Sequence, residues 1–217
     1  MNENLITIVV GPLEVNSYIL WDPETKEAFV IDPGGDADVI EREIRARGLK
    51  VKYIVNTHGH FDHVGADAEV KEALGGTLAI HAKDAALLAE APEHAKLFGI
   101  RTSVQPGPDM LLEDGSTLSV GSVTLEVLHT PGHTEGGVCL YHKKGGMLFT
   151  GDTLFAGSIG RTDLKGGSLD ALLDSIRKKI IPLGDSVRVL PGHGPETTIG
   201  EEKETNPFVA DFGGTFL

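Results

Sequence analysis

A single cysteine, Cys139, rules out an intramolecular disulfide and keeps thiolates from dominating any metal site. It stands in the apolar run Val138-Cys139-Leu140-Tyr141, which suits a small buried hydrophobe. Positive charge is also scarce. Only 19 lysines and arginines face 32 acidic residues, and the resulting formal charge of −13 argues against a duplex-binding surface or an anionic membrane partner, which need basic patches. No apolar run approaches the length of a membrane span, and Met1-Asn2-Glu3-Asn4 lacks the basic start and long apolar core of a signal peptide. A cytoplasmic protein that binds neither nucleic acid nor membrane is expected. With no low-complexity stretch or long linker, a single domain over residues 1–217 is expected as well.

Glycine, by contrast, is abundant at 28 residues, and glycine is favoured where backbone turns tightly or approaches a ligand. Apolar, β-branched runs at 5–10, 15–21 and 27–32, separated by Gly11-Pro12 and Asp22-Pro23, predict an opening antiparallel meander. Val39, Ile40 and Ile44 give 36–47 helical spacing, with Asp36 or Asp38 available as a cap and Gly48 as a stop. A strand at 51–56 leads into a histidine-rich loop, followed by a helix at 66–74, a strand at 77–81 and a helix at 83–91. The second half predicts strands near 110–113, 116–120, 123–129, 137–142 and 146–150, a helix over 168–180 and a strand at 187–190. Two β-rich halves with interspersed helices imply two sheets packed face to face, helices outside.

The chemistry concentrates in Thr57-His58-Gly59-His60-Phe61-Asp62-His63-Val64-Gly65, which sets three imidazoles and a carboxylate within six residues just after a strand. Imidazole nitrogen and carboxylate oxygen are the ligands that suit zinc and related divalent metals. Three later pieces repeat the pattern of a strand delivering one ligand into a Gly-rich turn: His129-Thr130-Pro131-Gly132-His133, then Gly151-Asp152-Thr153-Leu154-Phe155, then Pro191-Gly192-His193-Gly194. Alone, a histidine beside Gly and Pro is ordinarily a turn residue. Four such clusters in succession point to one two-metal site. His81, His94 and His142 have no companion ligands and read as surface or packing residues, and His129 reads as a structural neighbour of the site.

These motifs (THGHFDHVG at 57–65, HTPGHTEGG at 129–137, GDTLF at 151–155 and PGHG at 191–194) resemble the metallo-β-lactamase superfamily, and within it the glyoxalase II-like hydroxyacylglutathione hydrolases. The resemblance implies an α/β fold of four layers, αββα, with metals at one edge of the paired sheets. It implies His58, His60 and His133 on one metal, Asp62, His63 and His193 on a second, and Asp152 bridging. The cofactors implied are two divalent ions, zinc first, with iron or manganese accepted by the same ligands.

Five neutral imidazoles and two carboxylates around two divalent cations leave a positive pocket, which favours a small anionic substrate. A metal-bound hydroxide is expected to attack an acyl carbonyl. A thioester such as S-lactoylglutathione fits, because its leaving thiol, of pKa about 8.5, needs little protonation. Asp62 is a candidate acid/base as well as a ligand, and Arg161 and Phe155 are candidate substrate contacts, Arg161 either reading a carboxylate or pairing with Asp163.

Full-length glyoxalase II resembles this pattern but carries a C-terminal glutathione-binding helical domain, which is not expected here because only some 24 residues follow His193. Asp163 and Pro195 also stand roughly where that family carries tyrosines. The ending resembles the short bacterial branch. Gly160-Arg161-Thr162-Asp163, with Glu201-Glu202 and Asn206-Pro207, is similar to mononuclear-iron persulfide dioxygenases of the same superfamily, which is the alternative reading. A lactonase or a non-enzymatic metal-binding protein ranks below both.

Overall fold

The fold is that of a computed structural model, which describes residues 4–210. Residues 1–3, on which part of the expectation of no signal peptide rests, lie outside them. Strands β1 (Leu5–Val10), β2 (Val15–Trp21) and β3 (Glu27–Ile31) form the antiparallel meander that the apolar runs and their turn residues predict, and β4 (Lys50–Val55), β5 (Thr77–His81) and β6 (Met110–Leu112) join them in parallel, giving one six-stranded sheet in sequential order. Helices α1 (Ala37–Ala46), α2 (Phe61–Val64), α3 (Asp67–Leu74) and α4 (Ala85–Leu97) fall within the connections of that parallel part.

The second sheet contains β7 (Thr117–Val120), β8 (Val123–His129), β9 (Val138–His142), β10 (Met147–Gly151), β13 (Arg188–Pro191) and β14 (Thr197–Thr198), with β10 and β13 parallel. A small hairpin of β11 (Leu154–Phe155) and β12 (Ser158–Ile159) follows β10, and helices α5 (Leu169–Ser175) and α6 (Ile199–Thr205) flank β13 and β14 in sequence.

Alternation along the strands builds the layers. Leu20, Phe29, Ile31 and Val55 from the first sheet meet Leu125, Val127, Leu140 and Phe149 from the second in a fully buried central core. Their neighbours Ile19, Val30 and Ile54 face the other way, against Ile40 and Ile44 of α1, Val70 of α3 and Leu88 of α4. On the far side Cys139, Leu148 and Val189 pack on Leu172, Ile176 and Ile199. The order is therefore helices, sheet, sheet, helices, and Cys139 is the buried hydrophobe its neighbours predict. At about 25 cal/mol per Å² of apolar surface removed from water, each fully buried Leu, Ile or Phe contributes roughly 1.5–3 kcal/mol, so the three buried layers together are the main source of stability. Among the described residues no helix is long and apolar enough to cross a membrane.

Element boundaries differ from the sequence expectations in instructive places. Neither Asp36 nor Asp38 caps α1 with its side chain; Asp36 instead accepts a hydrogen bond from the Gly11 amide at 2.8 Å, tying the β1–β2 turn to the helix start. Helix α4 runs through Pro92 to Leu97 rather than stopping at 91. Proline removes one backbone donor there, but Leu88, Ala91 and Ala95 remain buried and hold the turn. The segment expected as one helix over 168–180 is α5 followed by a wider π-type turn at Ile176–Ile180.

One buried pair makes stability pH-dependent. Asp67, at the start of α3, is wholly buried and accepts a hydrogen bond from the Asn56 amide at 3.1 Å, while Asn56 Oδ1 and Asp67 Oδ2 have no partner. Burial pushes the Asp67 carboxyl well above the ordinary carboxylate range. The folded state then keeps a proton that the unfolded chain releases above about pH 4, so this group erodes stability as pH rises. Asp67→Asn supplies a neutral group of the same shape. At pH 8 it is expected to stabilise the fold by about 1–3 kcal/mol, the cost of an unsatisfied buried polar group, with the gain vanishing near pH 4. Thermal unfolding of both proteins at the two pH values checks this, and an equal gain at both would contradict it.

Candidate metal centre and the loops that hold it

The ligand candidates converge because each leaves a strand at the same rim of the sandwich. The parallel strands β3, β4 and β5 end at Asp32, Asn56-Thr57-His58 and Ala82-Lys83-Asp84, while β10 and β13 end at Asp152 and Gly192-His193. The β8–β9 connection brings His133. Ligand sites in sheets with parallel strands form outside the carboxyl ends of those strands. The two sheets are tied together at this rim: the Asn16 amide donates to Gly192 O at 2.7 Å, and the Tyr18 hydroxyl to Pro191 O at 2.6 Å.

All seven predicted ligands come together. His58, His60 and His133 form one group and Asp62, His63 and His193 another, with His58, His63 and Asp152 as a third set whose potential ligand atoms also lie within 4.8 Å of one another. The Asp152 carboxylate lies between them. Its Oδ1 is 3.3 Å from His63 Nε2, and its Oδ2 is 3.6 Å from His133 Nε2 and 3.7 Å from His193 Nε2. Asp62 Oδ2 stands 3.4 Å from His193 Nε2. The histidine-rich stretch is not wholly loop: residues 61–64 make the helical turn α2, which carries Asp62 and His63.

Three observations say that these residues fit divalent metals. First, His58 Nε2, His63 Nε2 and Asp152 Oδ1 are buried without hydrogen-bond partners, although buried polar atoms are almost always satisfied. Second, a Cβ on Gly192 would stand 2.5 Å from Asp152 Oδ1 and 2.6 Å from the His63 ring, so only glycine leaves the ligands room there. Third, the protonation pattern suits ligation. Burial, reinforced by the neighbouring histidines, pushes His58 well down, and burial beside His133 lowers His60 to about 4, keeping both rings neutral as ligands must be. For Asp152 burial acts in the opposite sense, yet His63, His133 and His193 hold its carboxyl well below the usual range. His63 is likewise buried, but Asp152 and Asp62 raise it well above an ordinary imidazole, marking a position where positive charge is favoured. This donor set is compatible with a dinuclear metal site.

Residues that sequence spacing did not single out hold these ligands in place. Asp32 accepts from the Thr57 amide and hydroxyl, both at 2.7 Å, and its Oδ2 lies 3.0 Å from His63 Nδ1, which turns His63 Nε2 inward. Asp84 accepts from the amides of Gly59 at 3.0 Å and Gly136 at 2.7 Å and from the Thr134 hydroxyl at 2.7 Å. It thereby bolts the His58–His60 loop to the His133 loop. His133 Nδ1 donates to Arg161 O at 2.7 Å, freeing its Nε2. Both aspartates follow a strand end, the one weak signal by which they were findable.

The two candidate substrate contacts differ. The Phe155 ring lies 6.3 Å from His193, edge-on, at the rim of the centre. Arg161 instead forks onto Asp163 at 2.8 and 2.7 Å, the intramolecular pairing that the sequence leaves open beside substrate recognition. The hairpin between them is clamped by α6. Glu202 accepts from the Gly157 amide at 2.8 Å, and the Asn206 side-chain amide donates to Ser158 O at 2.9 Å and to Glu202 at 2.7 Å. Both residues are buried, which accounts for the Glu-Glu and Asn-Pro pattern of the chain's ending. The remaining histidines do pack: His81 stacks on His129 at 4.2 Å, His142 Nδ1 lies 3.0 Å from Thr124 O, and His94 stands 3.6 Å from Glu90.

Known proteins agree with this arrangement. The model of the metallo-beta-lactamase superfamily matches residues 10–193. The hydroxyacylglutathione hydrolase GloC of Haemophilus influenzae is 39% identical over 95% of this chain and 98% of its own, and a probable metallo-hydrolase, YqgX, of Bacillus subtilis is 40% identical over 94% and 96%. Among solved structures, the B3 metallo-beta-lactamase BLEG-1 superposes with a TM-score of 0.88 at 40% identity, covering 94% of this chain and 99% of its own. TTHA1623 in a di-iron-bound form does so with 0.87 at 39%, with the same coverage. ETHE1 from Myxococcus xanthus follows at 0.76 and 25%, covering 98% and 91%. With the matched family model covering residues 10–193 and so all seven converging residues, the chain belongs to the metallo-β-lactamase superfamily and is a metallo-hydrolase.

Proposed function

We propose that this protein hydrolyses a small anionic acyl thioester of the S-lactoylglutathione type at a two-metal centre. His58, His60 and His133 would hold one ion, Asp62, His63 and His193 the other, with the Asp152 carboxylate shared. The observation that carries the reading is the placement of the two Asp152 oxygens, one toward His63 and the other toward His133 and His193. Bound divalent metals supply an activated water at neutral pH and polarise an acyl carbonyl. The chain's own residues do the rest. Asp32, Asp84 and the Arg161 carbonyl fix the ligand rings, so little reorganisation accompanies reaction. Burial works against charge on Asp62, but His63 and His193 hold its carboxyl below the ordinary range, so it acts as a proton acceptor rather than a donor. The departing thiolate needs no strong acid.

The relative named a hydroxyacylglutathione hydrolase supports the thioester reading, and the di-iron-bound neighbour is a reason to test iron beside zinc. A mononuclear-iron reaction calls for one ligand group, whereas Asp62, His63 and His193 also bring their ligand atoms within 4.8 Å of one another, which favours the two-metal reading.

The test is to load the purified protein with zinc, iron or manganese, count bound metal, and follow thiol release from S-lactoylglutathione beside oxygen uptake with glutathione persulfide and cleavage of a β-lactam. Thioester cleavage faster than either competing reaction is expected. Oxygen uptake with a single iron and no thioester cleavage would overturn the reading.

The hairpin clamp gives a further expectation. Asn206→Ala frees the strand pair that carries Phe155, and misplacing a substrate-positioning element costs up to about 10²-fold. An increase in KM of about ten-fold with bound metal unchanged is expected, and an unchanged KM in steady-state kinetics would separate the clamp from substrate binding.

A further inference from the structure

Strand β1 lies at the edge of the first sheet and pairs only with β2. The Trp21 amide donates to Asn4 O at 3.1 Å, which sets the phase of that ladder: Asn4, Ile6, Ile8 and Val10 turn their backbone groups toward β2. Alternation then turns Leu5, Thr7, Val9 and Gly11 outward. The Gly11 amide is taken by the Asp36 carboxylate at 2.8 Å. Among the described residues, the amides and carbonyls of Leu5, Thr7 and Val9 bond no protein group.

Sheet edges are ordinarily blunted by shortness, proline, lysine or a bulge. The other edges of the two large sheets follow that rule. Strand β6 has three residues and follows Pro106 and Pro108, β7 has four and β14 two. Strand β1 has six, Leu-Ile-Thr-Ile-Val-Val, with no charge, no proline and no break in its register against β2. Its Val9 side chain is 59% exposed. An edge of this kind accepts a further strand.

The pattern of β1 also says which strand fits. A second β1, antiparallel about a two-fold axis at Thr7, satisfies the whole free row at once. Leu5 exchanges hydrogen bonds with Val9 of the second copy, Thr7 with its own counterpart, and Val9 with Leu5. Between these pairs Ile6 lies opposite Ile8 of the second copy, and Ile8 opposite Ile6. Aliphatic meets aliphatic and hydroxyl meets hydroxyl, the cross-strand pairs that stabilise sheets. Charge favours the same partner. The chain carries −13, yet no side chain from Asn4 to Leu13 is ionisable, so two copies meet here without setting like charges opposite one another.

We propose that β1 is a self-association edge, on which two copies of this chain pair as antiparallel strands into one continuous sheet with Thr7 at the two-fold axis. The pairing does not depend on what the metal centre cleaves.

The experiment is sedimentation velocity over a rising concentration series, on wild type and Val9→Lys, followed by mild oxidation of Thr7→Cys and Val9→Cys. Wild type is expected to pass reversibly from monomer to dimer. Val9→Lys replaces an exposed side chain and should keep its bound metal, while its dimer dissociation constant rises at least about ten-fold as two aliphatic cross-strand pairs are lost. Opposed residues of a hydrogen-bonded pair have Cα atoms about 5.5 Å apart, within disulfide reach, so Thr7→Cys should form a covalent dimer. Cys139 is buried and takes no part. Val9→Cys should stay unlinked, because its counterpart stands four residues away, about 13 Å along the strands. A wild type that is monomeric at every concentration overturns the pairing and leaves the edge to a segment of another protein. A dimer that Val9→Lys leaves intact, or a Val9→Cys protein that links as readily as Thr7→Cys, overturns it too.

Discussion

Asp152→Ala is expected to hold fewer than two divalent ions per chain and to lose thioester hydrolysis by about 10³-fold or more, since metal centres supply several kcal/mol of transition-state stabilisation and each 1.4 kcal/mol is a factor of ten. The argument is geometric. No other carboxylate among the described residues lies between both histidine groups, with one oxygen 3.3 Å from His63 and the other 3.6 and 3.7 Å from His133 and His193. Alanine leaves Asp62 as the one carboxylate of the predicted ligand set beside five imidazoles crowded at ring separations of 4.1 to 5.3 Å. It also removes one of the carboxylates that raise His63, so in the variant His63 is expected to lose its proton more readily. Metal analysis after dialysis checks the stoichiometry. Full loading with two ions in Asp152→Ala would show that this carboxylate is not shared between the groups.

The second large effect is expected at a residue outside the predicted ligand set, Asp84, which holds the ligand loops. Asp84→Ala strands three buried donors, the amides of Gly59 and Gly136 and the Thr134 hydroxyl, whose acceptor in each case is the Asp84 carboxylate. An unsatisfied buried polar group costs about 1–3 kcal/mol, so a destabilisation of about 3–5 kcal/mol is expected after partial relaxation. At about 2–4 °C per kcal/mol for a chain of this size, the metal-free protein should melt about 10 °C lower. The same change uncouples the loop carrying His58 and His60 from the loop carrying His133. Metal affinity should therefore fall about 10–100-fold, as it does when groups supporting metal ligands are removed. Thermal unfolding without metal and metal titration by calorimetry separate the two consequences. A stable variant with native affinity would mean the cross-link is dispensable.

The ligands were legible in the sequence, and their supports were not, for a physical reason. His58, His60, Asp62 and His63 are packed into six residues, and the other three ligands stand in Gly-rich turns after strands, so local spacing exposes them. Asp32 and Asp84 act across 25 to 52 residues of chain, on Thr57, Gly59 and Gly136, and nothing in the local spacing of one aspartate reports such a partner. Glu202 and Asn206 were visible as a pattern near the chain's end, but their targets, the Gly157 amide and the Ser158 carbonyl, are backbone groups with no sequence signature. The short hairpin of β11 and β12 was missed as well, since two-residue strands carry too little alternation to register.

The larger architecture was readable because both sheets bury two faces. Continuous apolar runs such as Glu27–Ile31 and Val138–His142 announce themselves regardless of register, and the order of helices around them follows from helical spacing at Ile40 and Ile44. Arg161 shows the limit of such reading. Its side chain could equally serve a substrate or Asp163, and only the fold reveals the 2.7 Å ion pair.

The central claim, a hydrolytic centre that needs two ions shared by one carboxylate, is tested most directly by titrating metal-free protein with zinc or iron while following thiol release from S-lactoylglutathione. Activity that climbs until two ions are bound per chain and then levels off is the predicted result. Full activity at one ion per chain, or no thiol release at any loading, would contradict it.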